Sequence, residues 1–273
     1  MGAGMAQAAL ERGENLRVWN RTRTKAEPLG QLGAQVAETP AEAVQGADFV
    51  HLILHADDAV DEVLTQILPH LAKNAVLIDH STTLPARTLT RAQELAQAGV
   101  AFLHVPVFMS PQNCRTATGL MVAAGPQTVF QQAEAELRKM TGNVWYVGER
   151  ADLAACHKLF GNAMLLGIAG VMADIFTMAR QNHITPLDAH ALFTHLDPTG
   201  AVKVRGLKMA KEDFTPSFQL DTARKDLELM LQMAQPAVLA MLPGLAARMD
   251  QGLQKGWAAE DFGVISRAEL DRP

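Results

Sequence analysis

FVHLILHADDAVDEVLTQILPHLAKNAVLID, residues 49–79, reads as one strand–helix–strand unit. Phe49–Leu54 is an apolar run of strand length, Asp57–Leu68 has helical periodicity, and Ala75–Asp79 is a second strand. Two strands joined by a helix of that length pair in parallel, because a crossover returns the chain to the same end of the sheet. The pattern continues on both sides. Upstream, the helical MAQAALERG closes at Gly13, and Leu16–Trp19 reads as a short strand. Thr39-Pro40-Ala41-Glu42 has the form of a capping box with proline at the first helical position. Downstream, Thr88–Ala98 is helical, and Val100–Val107, Leu120–Ala124 and Val144–Val147 read as strands. The expected fold class is α/β with a parallel sheet.

The style changes near Gly148. Asp152–Arg180 is one long helical stretch without proline. Thr185-Pro186-Leu187-Asp188 opens another helix, and Leu220–Met233 and Ala237–Leu253 continue in kind. The expected division is an α/β domain over 1–148 and an all-helical domain over 149–273, joined by the long helix.

Composition narrows the function. The 273 residues are 48% hydrophobic and 19% charged, with a formal net charge of −5. That balance opposes a broad nucleic-acid or anionic-membrane footprint. Two cysteines, Cys114 and Cys156, form no disulfide framework, and Cys156 reads as packing. The N-terminus lacks the pattern of a secretory signal, so a soluble, cytoplasmic protein is expected. The most apolar segment, Leu159–Ala173, is short for a bilayer span, which takes about 20 residues, and reads as a buried helix. His51 and His55 have HxxxH spacing but fall on a strand and its end, and His80 and His104 lie on other elements, so no metal site is expected.

A glycine-rich N-terminus before an α/β pattern points to a dinucleotide. Gly2 aligns best as the third glycine of such a motif. The first strand and first two glycines are then expected upstream of Met1, by about ten residues. The strand at 16–19 ends in Asn20-Arg21-Thr22. An acid there would accept from the ribose hydroxyls; Asn20 removes that charge and Arg21 adds a cation. With Thr22 and Lys25, this favours the 2′-phosphate of NADP, NADPH being preferred to NADH.

Together these residues resemble the β-hydroxyacid dehydrogenases, relatives of 3-hydroxyisobutyrate and 6-phosphogluconate dehydrogenases. Met1-Gly2-Ala3-Gly4-Met5-Ala6 is similar to the end of the family's GxGxMGxxMA signature. Val18-Trp19-Asn20-Arg21-Thr22 resembles its NADP-type second strand. Asp79-His80-Ser81-Thr82 resembles DxST. Pro106-Val107 with Thr118-Gly119 resembles the substrate loop PVSGG…GT. Lys158-Leu159-Phe160-Gly161-Asn162 matches KLxxN, and Phe214–Phe218 with Lys225-Asp226-Leu227 resembles FxPGF…KDL.

The resemblance implies a Rossmann-type domain, a long interdomain helix and an all-helical domain. It also implies hydride transfer between NAD(P) and a small 3-hydroxy acid or aldehyde acid. The catalytic group would be Lys158, Asn162 and Ser81. Lys158 would donate the proton, one turn before Asn162 on the same helix face. Met1, Gly2, Leu54, His55, Thr82 and Lys225 would lie at the cofactor, and Val107, Phe108 and Met109 would line the substrate. A homodimer or homotetramer is implied as well.

The sequence also departs from the family. Phe108-Met109-Ser110 stands in place of SGG, which predicts a smaller or more apolar pocket. His104 replaces an acid, and Asp152 and Ala154 replace glycines ahead of the lysine. Two alternatives stand beside the dehydrogenase: an imine reductase-like enzyme, whose second strand Val18–Leu29 also resembles and which Lys158 opposes, and a non-catalytic cofactor-binding scaffold, which the missing glycines support and Lys158 with Asn162 opposes.

Overall fold

The computed structural model describes residues 1–270, in two compact units that divide at Asn162. The first unit runs α1 (Gly2–Glu11), β1 (Arg17–Val18), α2 (Glu27–Gln31), β2 (Gln35–Val36), α3 (Pro40–Val44), β3 (Phe49–Leu52), α4 (Asp57–Ile67) and β4 (Val76–Asp79). It continues with α5 (Pro85–Gln97), β5 (Ala101–His104), β6 (Val107–Phe108), α6 (Pro111–Thr116), β7 (Leu120–Ala124), α7 (Gln127–Met140) and β8 (Val144–Gly148). α8 (Asp152–Gln181) begins in this unit and continues into the second.

Local chemistry sets several of these boundaries. After α1, Gly13 N–H donates to Leu10 O and Glu14 N–H to Ala9 O, the closure expected at that glycine. Thr39 Oγ1 accepts the Glu42 N–H as expected, while the Glu42 carboxylate takes the N–H of Glu38 rather than that of Thr39. The strand expected over 100–107 is broken in two. Pro106 has no N–H to give a ladder, so β5 stops before it and β6 starts after it.

β3, β4 and β5 pair in parallel. The sheet then departs from the wholly parallel expectation, because β7 runs antiparallel to both β5 and β6. The short β6–α6 return reverses the chain without crossing the sheet, and α7 then supplies a crossover so that β8 pairs with β7 in parallel. β1 and β2 form a separate two-stranded parallel sheet. Both faces of the main sheet are covered. Val76, Ile78, Leu103 and Val105 pack with Met5 and Ala8 of α1 and with Phe130, Ala133 and Leu137 of α7. On the opposite face, Val50, Leu52, Leu77 and Phe102 pack with Val60, Val63 and Ile67 of α4 and Leu95 of α5. This three-layer arrangement is the α/β fold expected.

The second unit is helical. It holds the rest of α8, then α9 (Pro186–Ala191), α10 (Gly206–Ala210), α11 (Leu220–Ala234) and α12 (Leu242–Gln254). Its core gathers Met178, Leu220, Leu227, Leu242, Ala246 and Met249. The buried Asp174 carboxylate accepts the N–H groups of Ala240, Met241 and Leu242 and so caps the start of α12.

The segment expected to be a buried helix is neither short nor buried. α8 is 30 residues long, with an apolar window of mean hydropathy 1.7, long and apolar enough by length and composition to cross a membrane. Phe160, Leu165, Leu166 and Ile168 are 66%, 59%, 72% and 53% exposed.

Candidate active site

The parallel pairing of β3, β4 and β5 brings their carboxyl ends to one edge, where open α/β sheets hold ligands. The segments that follow are stitched together. His80 N–H donates to Leu52 O at 2.8 Å, and Val105 N–H to Asp79 O at 2.7 Å. Ser81 N–H donates to Asp79 Oδ1 at 2.9 Å, while Ser81 Oγ accepts the Leu54 N–H at 2.9 Å. Ser81 is 2% exposed, so it bridges two strand ends, and its hydroxyl proton is left to give. Its neighbour Thr82 is exposed, as is His55 beyond Leu54.

Lys158 projects from the first turns of α8 onto β6. Its Nζ donates to Val107 O at 2.8 Å and lies 4.1 Å from the centroid of the Phe108 ring. Burial pushes this ammonium below the usual lysine range. Asn162 follows one turn later, partly exposed.

Two glycines shape the loop that Lys158 meets. A Cβ on Gly161 would come within 2.3 Å of Phe108 Cζ, so the ring lies directly on the helix backbone. Gly119 has φ +93°, and a Cβ there would sit 2.8 Å from Phe108 O and 2.6 Å from Met109 Cγ. Val107, Phe108, Lys158 and Gly161 are therefore brought together. Lys225 lies on α11 in the second unit, exposed and ion-paired with Asp226 at 2.9 Å.

The nucleotide end fits a dinucleotide. α1 starts at Gly2 with no side-chain cap from Met1, and its first-turn N–H groups suit a pyrophosphate. A Cβ added at Gly2 would lie 3.5 Å from Ile53 Cβ, in the segment that follows β3. Asn20 Oδ1 accepts the Thr22 N–H at 2.9 Å and shapes the turn after β1. Arg23 is taken by Glu27 and Glu38. Arg21 and Lys25 are exposed and enter no ion pair among the described residues.

Sequence reading missed a set of buried polar groups. It placed His51, His80 and His104 on separate elements, yet His51 Nδ1 lies 2.9 Å from His80 Nε2, and His80 Nδ1 lies 2.7 Å from Val105 O. His104 stands opposite Asp79 on the other face of the same sheet. The signal was available in the parallel register: residues two apart share a face, and His51 pairs with Ile78, two before His80. Among the described residues, no group of three or more His, Cys, Asp or Glu side chains could hold a metal.

The model of the NAD-binding domain of 6-phosphogluconate dehydrogenase matches residues 1–148. The chain belongs to this family. Within it, the chain is 28% identical over 271 residues to the uncharacterized oxidoreductase YfjR of Bacillus subtilis, covering 97% of this chain and 95% of that protein. It is 27% identical over 275 residues to the 3-sulfolactaldehyde reductase of Escherichia coli, covering 97% of this chain and 91% of that protein. Among solved structures, an imine reductase from Myxococcus stipitatus in complex with NADP+ superimposes with a TM-score of 0.91 at 21% identity, covering 98% of this chain and 96% of that one. That last likeness speaks for the fold. The family and its oxidoreductase members make this protein an NAD(P)-dependent oxidoreductase of the β-hydroxyacid dehydrogenase type.

Proposed function

We propose that this protein reduces a small aldehyde acid with NADPH, or oxidises the corresponding 3-hydroxy acid, with Lys158 as the proton donor or acceptor. The observation that carries this reading is the placement of the Lys158 ammonium. It is half-buried, held by Val107 O and the Phe108 ring, and pushed below the usual lysine range by burial. A surface lysine has no need of such a setting. The sulfolactaldehyde reductase relative supports an aldehyde that carries an acid group.

Bound NADPH supplies the hydride. As negative charge grows on the carbonyl oxygen, Lys158 gives it a proton, and in the reverse direction takes one back. Asn162 lies on the same helix face and orients that oxygen. Ser81 fixes Leu54 by accepting its N–H and keeps a hydroxyl proton for the reacting centre. Arg21 and Lys25, with Thr22, receive the 2′-phosphate of the cofactor. Phe108 and Met109 fill the substrate loop with apolar volume and keep it small.

The exposed apolar face of α8 calls for cover. A second copy of this chain supplies it, making a homodimer, and the free thiols of Cys114 and Cys156 suit a reducing cytoplasm.

The test is Lys158→Met, assayed with NADPH and a panel of aldehyde acids that includes glyoxylate and succinic semialdehyde. Turnover should fall at least about a hundredfold, the size of a general-acid contribution, with NADPH binding retained. Unchanged turnover would remove Lys158 from the mechanism.

A further inference from the structure

The turn after β4 rests on a buried carboxylate and imidazole that the proposed mechanism does not use. Asp79 and His104 are opposite each other in the β4–β5 register, and both are 0% exposed. Asp79 Oδ2 lies 3.6 Å from His104 Nδ1, and neither atom has a hydrogen-bond partner. That spacing is an ion-pair distance rather than a hydrogen bond. The other carboxylate oxygen accepts the Ser81 N–H.

The protons on the far side of the imidazole can be counted. With Thr88 Oγ1 donating to Leu84 O at 3.1 Å, its contact with Thr83 Oγ1 at 2.7 Å uses the Thr83 proton. Thr83 has one hydroxyl proton, so towards His104 Nε2, 3.4 Å away, it acts only as an acceptor. In that arrangement Nε2 carries a hydrogen. On the near side, Nδ1 faces a carboxylate that burial alone would protonate. An unpaired buried carboxylate is costly, and a second hydrogen on Nδ1 removes that cost.

We propose that Asp79 and His104 form a buried carboxylate–imidazolium pair that positions the strand-end turn at 81–84 for the nicotinamide cofactor. The pair grips the turn at both ends. Asp79 holds Ser81, which holds Leu54. His104 holds Thr83, which leads through Thr88 to Leu84. Thr82 stands exposed between the two grips. Neither Asp79 nor His104 touches substrate; both are positioning residues. The inference rests on the reading that these strand ends receive the cofactor.

The test uses the full chain and three readouts: nitrogen NMR of the His104 ring, amide exchange along β4 and its turn, and NADPH titration. In the unmodified protein both ring nitrogens of His104 should carry hydrogens. In His104→Gln, the Ser81 amide should exchange about tenfold faster while Leu77, in the middle of β4, stays unchanged, and the NADPH Kd should rise by about tenfold. A neutral His104, an unmoved Ser81 amide, or equal acceleration along all of β4 would each overturn the proposal. Asp79→Asn gives an independent arm should His104→Gln fail to fold. Its carboxamide oxygen still accepts the Ser81 N–H, but its NH2 group faces Nδ1. His104 should then change to the neutral Nε2–H tautomer with Ser81 still protected, and an unchanged imidazolium would overturn the pairing. If the unmodified protein does not bind NADPH, the placement of the cofactor fails, while NMR and exchange still judge the pair.

Discussion

The Phe108 ring lies on the backbone of Gly161, where any added Cβ would fall 2.3 Å from Cζ and 2.5 Å from Cε1. The same ring covers the Lys158 ammonium, one helical turn earlier on the same helix. The glycine thereby sets how much water Lys158 sees. Gly161→Ala should force the ring aside, at about 1–3 kcal/mol of stability. Because burial is what lowers Lys158, uncovering it should return the ammonium towards the ordinary lysine range. With Lys158 as the proposed proton donor, reduction needs its protonated form, so the rate should fall as pH rises through this group. The alkaline limb of the kcat/KM profile should therefore move to higher pH. Phe108→Ala should produce the same shift without the clash. If neither variant moves the limb, the ring does not shield the lysine.

Arg21 is the second test, and it concerns the cofactor. It is exposed at the turn after β1, while its neighbour Arg23 is occupied by Glu27 and Glu38. A guanidinium free of carboxylates can bind a phosphate in two-pronged fashion. Arg21→Ala should weaken NADPH by about tenfold, the worth of one charged hydrogen bond, and leave NADH almost unchanged. Nicotinamide fluorescence titrations measure both. Equal losses would mean that Arg21 does not contact the 2′-phosphate.

The fold was legible because its signals are periodic. FVHLIL, AVLID and VAFLHVPV announce strands, and the loss of such runs after Gly148 announces the helical part, although the two units divide further on, at Asn162 inside α8. The antiparallel turn-back of β7 was not legible. It depends on the two-residue β6 and six-residue α6, which are too short to show a period. Within the site, Lys158 and Asn162 could be found because i,i+4 places them on one helix face whatever the rest does. The contact between Gly161 and Phe108 spans distant positions and carries no pattern. The pairing of Asp79 with His104 needs the strand register, which only the folded sheet supplies.

His51 and His80 make a third prediction. His80 Nδ1 faces Val105 O, so it carries the hydrogen, and Nε2 accepts from His51 Nδ1. Both rings are neutral in this arrangement. Burial, then the nearby His51, lowers His80 to about 3; burial, then Lys139, lowers His51 to about 4. The unfolded chain takes up these protons below 6.5, and the folded one does not. Stability from this pair is thus complete above pH 6.5 and declines as pH falls towards 4. Each ring contributes about 1.4 kcal/mol per pH unit within that window. Urea midpoints at steps from pH 7.5 to 4.5 should fall accordingly, and His80→Asn should flatten the slope. A flat profile in the unmodified protein would contradict the neutral pair.

The second unit has an acid-sensitive point of its own in Asp261. This carboxylate is 3% exposed and accepts the N–H groups of Ser217, Phe218 and Gly263, the Ser217 hydroxyl and Arg205 Nε. Burial alone would raise its pKa. The N–H groups of Ser217 and Gly263, the Ser217 hydroxyl and the Arg205 guanidinium outweigh burial and hold it far below the carboxylate range. It ties the segment before α11 to the turn after α12, next to Val264 in the core. Asp261→Ala strands several buried donors and one guanidinium, and should cost about 3–5 kcal/mol. Asp261→Asn keeps one acceptor oxygen and should cost less. Because the folded value lies below the unfolded one of 3.8, the stability Asp261 contributes is present above that pH and drains away below it. Thermal unfolding of Asp261→Asn should then lose less of its midpoint between pH 5 and 3 than the unmodified chain does. Parallel losses would mean that another group governs the acid limb of the helical unit.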